Sequence, residues 1–197
     1  DPYWGGLYDA FRQKKYAYEM FRSQSSASLR HPLAECGAMV FVAPEMSQFS
    51  DKDVVVFSNC DSVRLSVYDG TKTWTKPVVH AKGHLPNAPV VCENVWDFWE
   101  ARSYSYTQKN WQKVNMIVEG IINGKVVCTQ KKMPSRRSTK LRLYADTGNV
   151  NLVADGSDFI VVVAEVTDDN GNVRRLAKEN IVFTVEGEGD IIGDATI

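Results

Sequence analysis

From Ser62 onward the chain alternates. Val63, Leu65 and Val67 fall on one side, and Ser62, Arg64, Ser66 and Tyr68 on the other. A period of two marks a strand with one buried and one wetted face. Just before it, Val54, Val55, Val56 and Phe57 form a continuous apolar run, as in the centre of a sandwich. The intervening Ser58, Asn59, Cys60 and Asp61 supply turn chemistry, because Asn and Asp bond back to their own backbone. Asp69-Gly70 then predicts a hairpin.

The same reasoning extends along the chain. Residues 5–9 predict a short Gly-containing strand, and a helix is expected from about Lys14, with Ala17, Met20 and Phe21 on its apolar side. A first strand is expected over 38–43, another over 73–79, and a loop over 80–89, where Gly83, Pro86 and Pro89 cluster. Residues 114–122 and 125–132 read as strands joined by Asn123-Gly124, a type I′ pair. One helix is expected inside this unit, over 95–102, with Asn94 as N-cap and Asp97 in a capping-box position. Residues 133–138 have the composition of a hinge. Beyond it, 159–166 and 181–185 predict strands, with a hairpin at Asp168-Asp169-Asn170-Gly171.

The expected architecture is mainly β: Ig-like β-sandwich domains in tandem, preceded by a short strand–helix segment. The boundaries are 1–28, 29–137 with its inserted helix, and 138–197. Strand signals are too few in the third segment to close a sandwich, which takes about seven strands. An uncovered apolar face and open edges there predict self-association through that unit.

The chain has 197 residues, with 23 Lys+Arg against 24 Asp+Glu. So balanced a surface gains nothing from counterion release or an anionic bilayer, which argues against nucleic acid and membrane as partners. No apolar run approaches the ~20 residues that span a bilayer. The opening Asp1-Pro2-Tyr3-Trp4, without an initiator Met or a basic-then-apolar leader, is expected to lie inside a longer polypeptide. Cys36, Cys60, Cys92 and Cys128 form no CxxC pair, and His31, His80 and His84 do not stand at ligand spacing from them. No metal site and no cofactor are expected. The thiols read as small buried hydrophobes, and sequence assigns no disulfide.

Candidate chemistry is thin. Glu35, Glu45, Glu93, Glu100, Glu119 and Glu165 are scattered, with no pair placed for acid–base work, so no catalytic residue is assigned. Residues 168–172 lack the twelfth-position Glu of a calcium loop, and a hairpin explains them. No Ser or Cys stands with a His and an orienting partner. One cluster remains: Trp96, Trp99, Tyr104, Tyr106 and Trp111. These rings could stack on an oligosaccharide, or they could pack the inserted helix onto the sandwich.

Three stretches together resemble glycoside hydrolase family 2. WGGLYDAFRQKKYAYEMFRSQ (4–24) is similar to the end of that family's catalytic TIM barrel, where a short last strand ends in Asp before a Tyr- and Phe-rich helix. DVVVFSNCDSVRLSVYDG (53–70) is similar to the Ig-like domain that follows the barrel in bacterial β-galactosidase-like members. LVADGSDFIVVVAEVTDDNGNVRR (152–175) is similar to a further C-terminal Ig-like domain, and the order is the family's own. The resemblance implies that residues 1–28 are a barrel remnant and that the whole region is an accessory part of a retaining β-glycosidase. The family's two catalytic glutamates lie on earlier barrel strands, and no residue here matches either. It further implies that the region is inactive alone, that its partner is the barrel of the same polypeptide, and that the protein is exported by a bacterium, to the periplasm or the medium. A carbohydrate-binding module and a bacterial Ig-like adhesion segment are the competing readings.

Overall fold

The structure, a computed structural model, describes residues 5–9, 12–32, 34–80, 85–147 and 151–196. The chain divides into two compact units, Asp1–Pro134 and Ser135–Ile197. Expectations resting on Trp4, Gly83 or His84 fall outside the described residues.

In the first unit, β1 (Val40–Val42), β2 (Val54–Ser58) and β5 (Val90–Cys92) form one antiparallel sheet in the order β1-β2-β5. A second antiparallel sheet has the order β4-β3-β6-β7, from β3 (Ser62–Val67), β4 (Lys72–Pro77), β6 (Met116–Ile122) and β7 (Lys125–Lys132). A single apolar cluster joins their inner faces, with Val42, Val54, Val56 and Val90 from the first and Val63, Leu65, Val67, Met116 and Val118 from the second. Burying this surface is the main stabilising term, about 1.5–3 kcal/mol for each fully buried aliphatic side chain. The mainly-β sandwich expected from the sequence is what forms.

The two strands around Asn59 are therefore in different sheets. Residues 59–61 carry the chain from β2 across to β3, where the Asp61 N–H donates to the Ile121 carbonyl at 3.0 Å. The double-sided apolar run of β2 has a second cause as well. Val54 and Val56 face the core, while Phe57 stacks on Phe41 of β1 at 6.2 Å on the other face, and Tyr16 meets Phe41 edge-on.

Both hairpins sit where their turn residues allow. Asp69 and Gly70 have φ of 54° and 82°, and Asn123 and Gly124 have 50° and 75°, the left-handed values a primed turn requires. Between β6 and β7 the register shifts at Gly120/Ile121, so that Gly120 faces Cys128 while Ile121 faces Val126. This β-bulge re-aims the strand locally.

Two helices differ from expectation. The N-terminal one, α1, is Tyr16–Arg22, and residues 5–9 contribute one bridge, Tyr8 to Lys14, rather than a strand. The most deeply buried residues here are polar: Glu19 and, just after the helix, Ser23 are buried, Met20 is half-buried, and Ala17 and Phe21 are exposed. The inserted helix, α2, is Phe98–Gln108, starting three residues later than expected and ending six later. Asp97, not Asn94, is the N-cap, accepting from the N–H groups of Trp99 and Glu100. The reason is tertiary. The Val95 and Trp96 N–H groups both donate to the Lys52 carbonyl, and the Asn94 N–H donates to Asp53, which holds 94–96, with Asn94 at a left-handed φ of 53°, against the loop before β2.

The second unit has one two-stranded antiparallel sheet, β8 (Ser138–Asp146) with β9 (Val161–Asp168). β8 was not expected. The predicted strand over 181–185 is reduced to a single bridge, Val182 to Thr196. The turn after β9 is fixed by Asp168, whose carboxylate accepts from the N–H groups of Arg136, Asn170 and Asn172 and from the Asn172 side chain. Among the described residues of this unit the buried side chains are Glu165, Thr167 and Asp168, and no large apolar one is buried.

Candidate functional site

The aromatic cluster separates by helix geometry. Trp96 precedes the cap, is 2 % exposed, and donates its indole N–H to the Ser47 carbonyl at 2.9 Å. It is a core residue and cannot stack on a ligand. Tyr104 faces inward from α2, stacked on Tyr68 at 5.0 Å, with its hydroxyl donating to the Tyr68 carbonyl. It too packs the helix onto the sandwich. Trp99 and Tyr106 are each 68 % exposed, and Trp111 is 38 % exposed on the 3₁₀ turn Trp111–Lys113. The Arg102 guanidinium lies 5.8 Å from the centres of both the Trp99 and Tyr106 rings. Both rings are thus within cation–π reach of one guanidinium. The five residues therefore do not form one platform.

Five of the six scattered glutamates are spent on cations and donors. Glu35 pairs with Lys14 and Arg22, Glu100 with Lys72, Glu119 with Arg64 at 2.6 Å, and Glu165 with Arg142. Glu45 accepts from the Tyr16 hydroxyl at 3.0 Å. The hydrogen bond from Lys14 holds the Glu35 carboxyl below the usual carboxylate range. The backbone N–H of Glu100, with Lys52 behind it, does the same for Asp97. A glycosidase acid requires the opposite shift, upward. Among the described residues no three of His, Cys, Asp and Glu stand together as metal ligands.

The polar side chains that do converge hold the N-terminal segment on the sandwich. Gln24, just after α1, donates to the Asn87 carbonyl and accepts from the Asn87 N–H, both at 2.9 Å, and the Asn87 amide donates to the Ser23 carbonyl. Asn87 also meets His80 Nδ1 at 2.7 Å. From the crossover, Asn59 accepts from the Met39 N–H at 2.8 Å and donates to the carbonyls of Gly37 and Ser25. Asn59 and Asn87 are both buried and line the floor of an open depression rimmed by Arg30, Asp61 and Ile122. Sequence reasoning took Asn59 for turn chemistry and passed over Asn87. Apart from His80, seven residues before Asn87, the partners lie 20 to 64 residues away, so no local signal marks them.

This architecture has relatives. A β-galactosidase of Thermoanaerobacter pseudethanolicus is 28 % identical over 190 residues, which cover 96 % of this chain and 24 % of that protein. Residues 141–196 match the model of glycoside hydrolase family 2 C-terminal domain 5. The chain is similar to the C-terminal region of proteins of that family. A crystal structure of a β-glycosidase from Bacteroides vulgatus superposes with a TM-score of 0.64 at 21 % identity, over 92 % of this chain and 20 % of that one. A β-glucuronidase from glycoside hydrolase family 2 superposes at 0.60 with 26 % identity, over 92 % of this chain and 16 % of that one. The chain thus spans about a quarter or less of the length of these family 2 and related proteins. The match to the family 2 C-terminal domain lies within the chain's second unit.

Proposed function

We propose that this region supplies no catalytic group and braces the catalytic barrel of a β-galactosidase-like polypeptide. The observation that carries the reading is helix α1. Its polar side, Glu19 and Ser23, is buried and tied through Gln24 and Asn87 to the sandwich, while Phe21, Tyr16, Tyr8 and Leu7 stay exposed. A short helix held by its polar face offers its apolar face to something else, and the resemblance of 4–24 to the end of a barrel names that body. The ion-paired carboxylates support the non-catalytic half of the reading.

Aryl β-galactosides and β-glucuronides are the direct test. The pure chain should turn over neither, and activity that co-migrates with it through successive columns would overturn the reading. For the bracing half, Phe21→Asp in the polypeptide that includes the barrel should lower the barrel's melting temperature. No change there would remove α1 from the interface.

Oligosaccharide binding is the second reading, favoured by the exposure of Trp99, Tyr106 and Trp111. Titration calorimetry with galactans, with Trp99→Ala as control, separates the two readings. Heat that vanishes in the variant supports binding, and no heat above background ends it. Export by a bacterium is proposed from the resemblance alone, and cell fractionation that finds the protein only in the cytosol would refute it.

A further inference from the structure

Two of the four thiols converge on a glycine. Cys60, in the crossover between the sheets, is fully buried, while Cys128 on β7 is partly exposed. Their Sγ atoms are 3.8 Å apart, in hydrogen-bond contact, across 68 residues of chain. Gly120 of β6 is the register partner of Cys128, at the bulge. A Cβ placed on Gly120 would stand 2.6 Å from each sulfur and 3.0 Å from Val40. Real Cβ atoms do not approach so closely, so the space where the two sulfurs meet exists only because residue 120 has no side chain. The other two thiols lie elsewhere: Cys36 accepts from the His31 N–H, and Cys92 is buried in the core at β5.

We propose that Cys60 and Cys128 are a disulfide-forming site, closed by exchange with a low-molecular-weight disulfide such as oxidised glutathione. Rotation of the thiols toward each other must shorten the gap to an S–S bond of about 2.05 Å. Cys128 is the point of entry, since Cys60 has no exposed surface. The hydrogen bond between the sulfurs eases loss of the first proton from the pair and hinders loss of the second. The proton can pass along that bond, so the charge can reside on Cys128 when a donor arrives. The Cys128 thiolate attacks one sulfur of the donor, forming a mixed disulfide and expelling one thiolate. The Cys60 thiolate then attacks Cys128 Sγ. The S–S bond to Cys60 forms, the bond to the donor breaks, and a second thiolate leaves. The protein gives up two electrons and two protons, and the donor disulfide becomes two thiols. The product staples the sheet-to-sheet crossover to β7.

The test uses the whole chain, reduced with dithiothreitol or incubated with oxidised glutathione, then acid-quenched, denatured, alkylated and digested without reduction. The oxidised sample should lose two hydrogens in mass, yield a peptide pair joining Cys60 to Cys128, and be alkylated at Cys36 and Cys92 only. Closing a loop of this size should raise the melting temperature by on the order of 10 °C. Cys128→Ser should abolish both the linked peptide and the shift on oxidation. Gly120→Ala should slow closure by occupying the meeting point. Alkylation at all four cysteines, a link through Cys36 or Cys92, or a glutathione adduct on Cys128 that never resolves would each overturn the proposal. These outcomes come from the unsubstituted chain, so they hold whether or not the variants fold.

Discussion

Replacing Asn59 by Ala removes a side chain that ties the crossover, the segment before β1 and the residues after α1 together. Asn59 is 7 % exposed and makes three bonds: it accepts from the Met39 N–H at 2.8 Å and donates to the Gly37 carbonyl at 2.9 Å and the Ser25 carbonyl at 3.2 Å. Met39 and Gly37 are themselves buried, so alanine strips two backbone groups where water does not readily replace the amide. Each such group costs about 1–3 kcal/mol, and the half-buried Ser25 carbonyl adds little, which puts the loss at about 4 kcal/mol. For a unit of this size that lowers the melting temperature by about 12 °C. All five tryptophans, Trp4, Trp74, Trp96, Trp99 and Trp111, lie in the first unit, so tryptophan-selective fluorescence follows that unit alone. Asn59→Asp keeps the acceptor for Met39 but sets a carboxylate against two carbonyls, and should cost at least as much. A fall of less than about 3 °C for Asn59→Ala, with an unchanged denaturant slope, would show that the clamp does not hold the unit together.

In the second unit, burial alone would raise the Asp168 carboxyl, but hydrogen bonds from Asn172, Arg136 and Asn170 outweigh it and hold the group below the usual carboxylate range. A depressed folded value means that the stabilisation is complete above the unfolded value of about 3.9 and is lost as pH falls through the lower folded one. Asp168→Asn should therefore flatten the acid dependence of β8–β9 amide protection, and identical acid profiles would contradict this. Phe21→Asp should leave the melting of this chain within about 0.5 kcal/mol of the parent, because Phe21 is 64 % exposed; a larger loss would mean that it packs on the sandwich after all. Amides of Val161 to Val163 should exchange faster than those of Val54 to Val56, since an isolated two-stranded sheet is marginal in water. Exposed Leu152, Phe159 and Val182 should also give concentration-dependent light scattering that disappears when 146–197 are deleted. Equal protection in both units, with a strict monomer throughout, would refute both expectations.

The parts legible in the sequence are those decided within a few residues. The period of two in β3 and the turn chemistry of Asp69-Gly70 and Asn123-Gly124 are short-range properties, and the structure realises each. What failed was decided by partners far along the chain. Asn94 has good cap chemistry, but Asp53 and the Lys52 carbonyl claim the backbone around it, so the helix starts at Asp97 instead. That three-residue displacement turns Trp96 inward and leaves Trp99 in solvent, which is why one aromatic cluster in sequence becomes core and surface in space. β8 was missed for a related reason. Leu141, Leu143 and Ala145 do alternate with Lys140, Arg142 and Tyr144, yet nearly every residue of Ser138–Asp146 is exposed, and the strand is held by pairing with β9 across the segment 147–160. In α1 the apolar spacing puts Ala17, Met20 and Phe21 on one side, and the structure leaves Ala17 and Phe21 exposed. A helix of seven residues is too short to choose its own buried face, and the Ser23, Gln24 and Asn87 bonds choose it instead. The apolar side left outward is what the proposed barrel would cover, and the relatives, four or more times longer than this chain, have room for such a body. Helix α1 thus bears on both questions: it is where reading residues in isolation failed, and it is the strongest physical argument for a barrel partner.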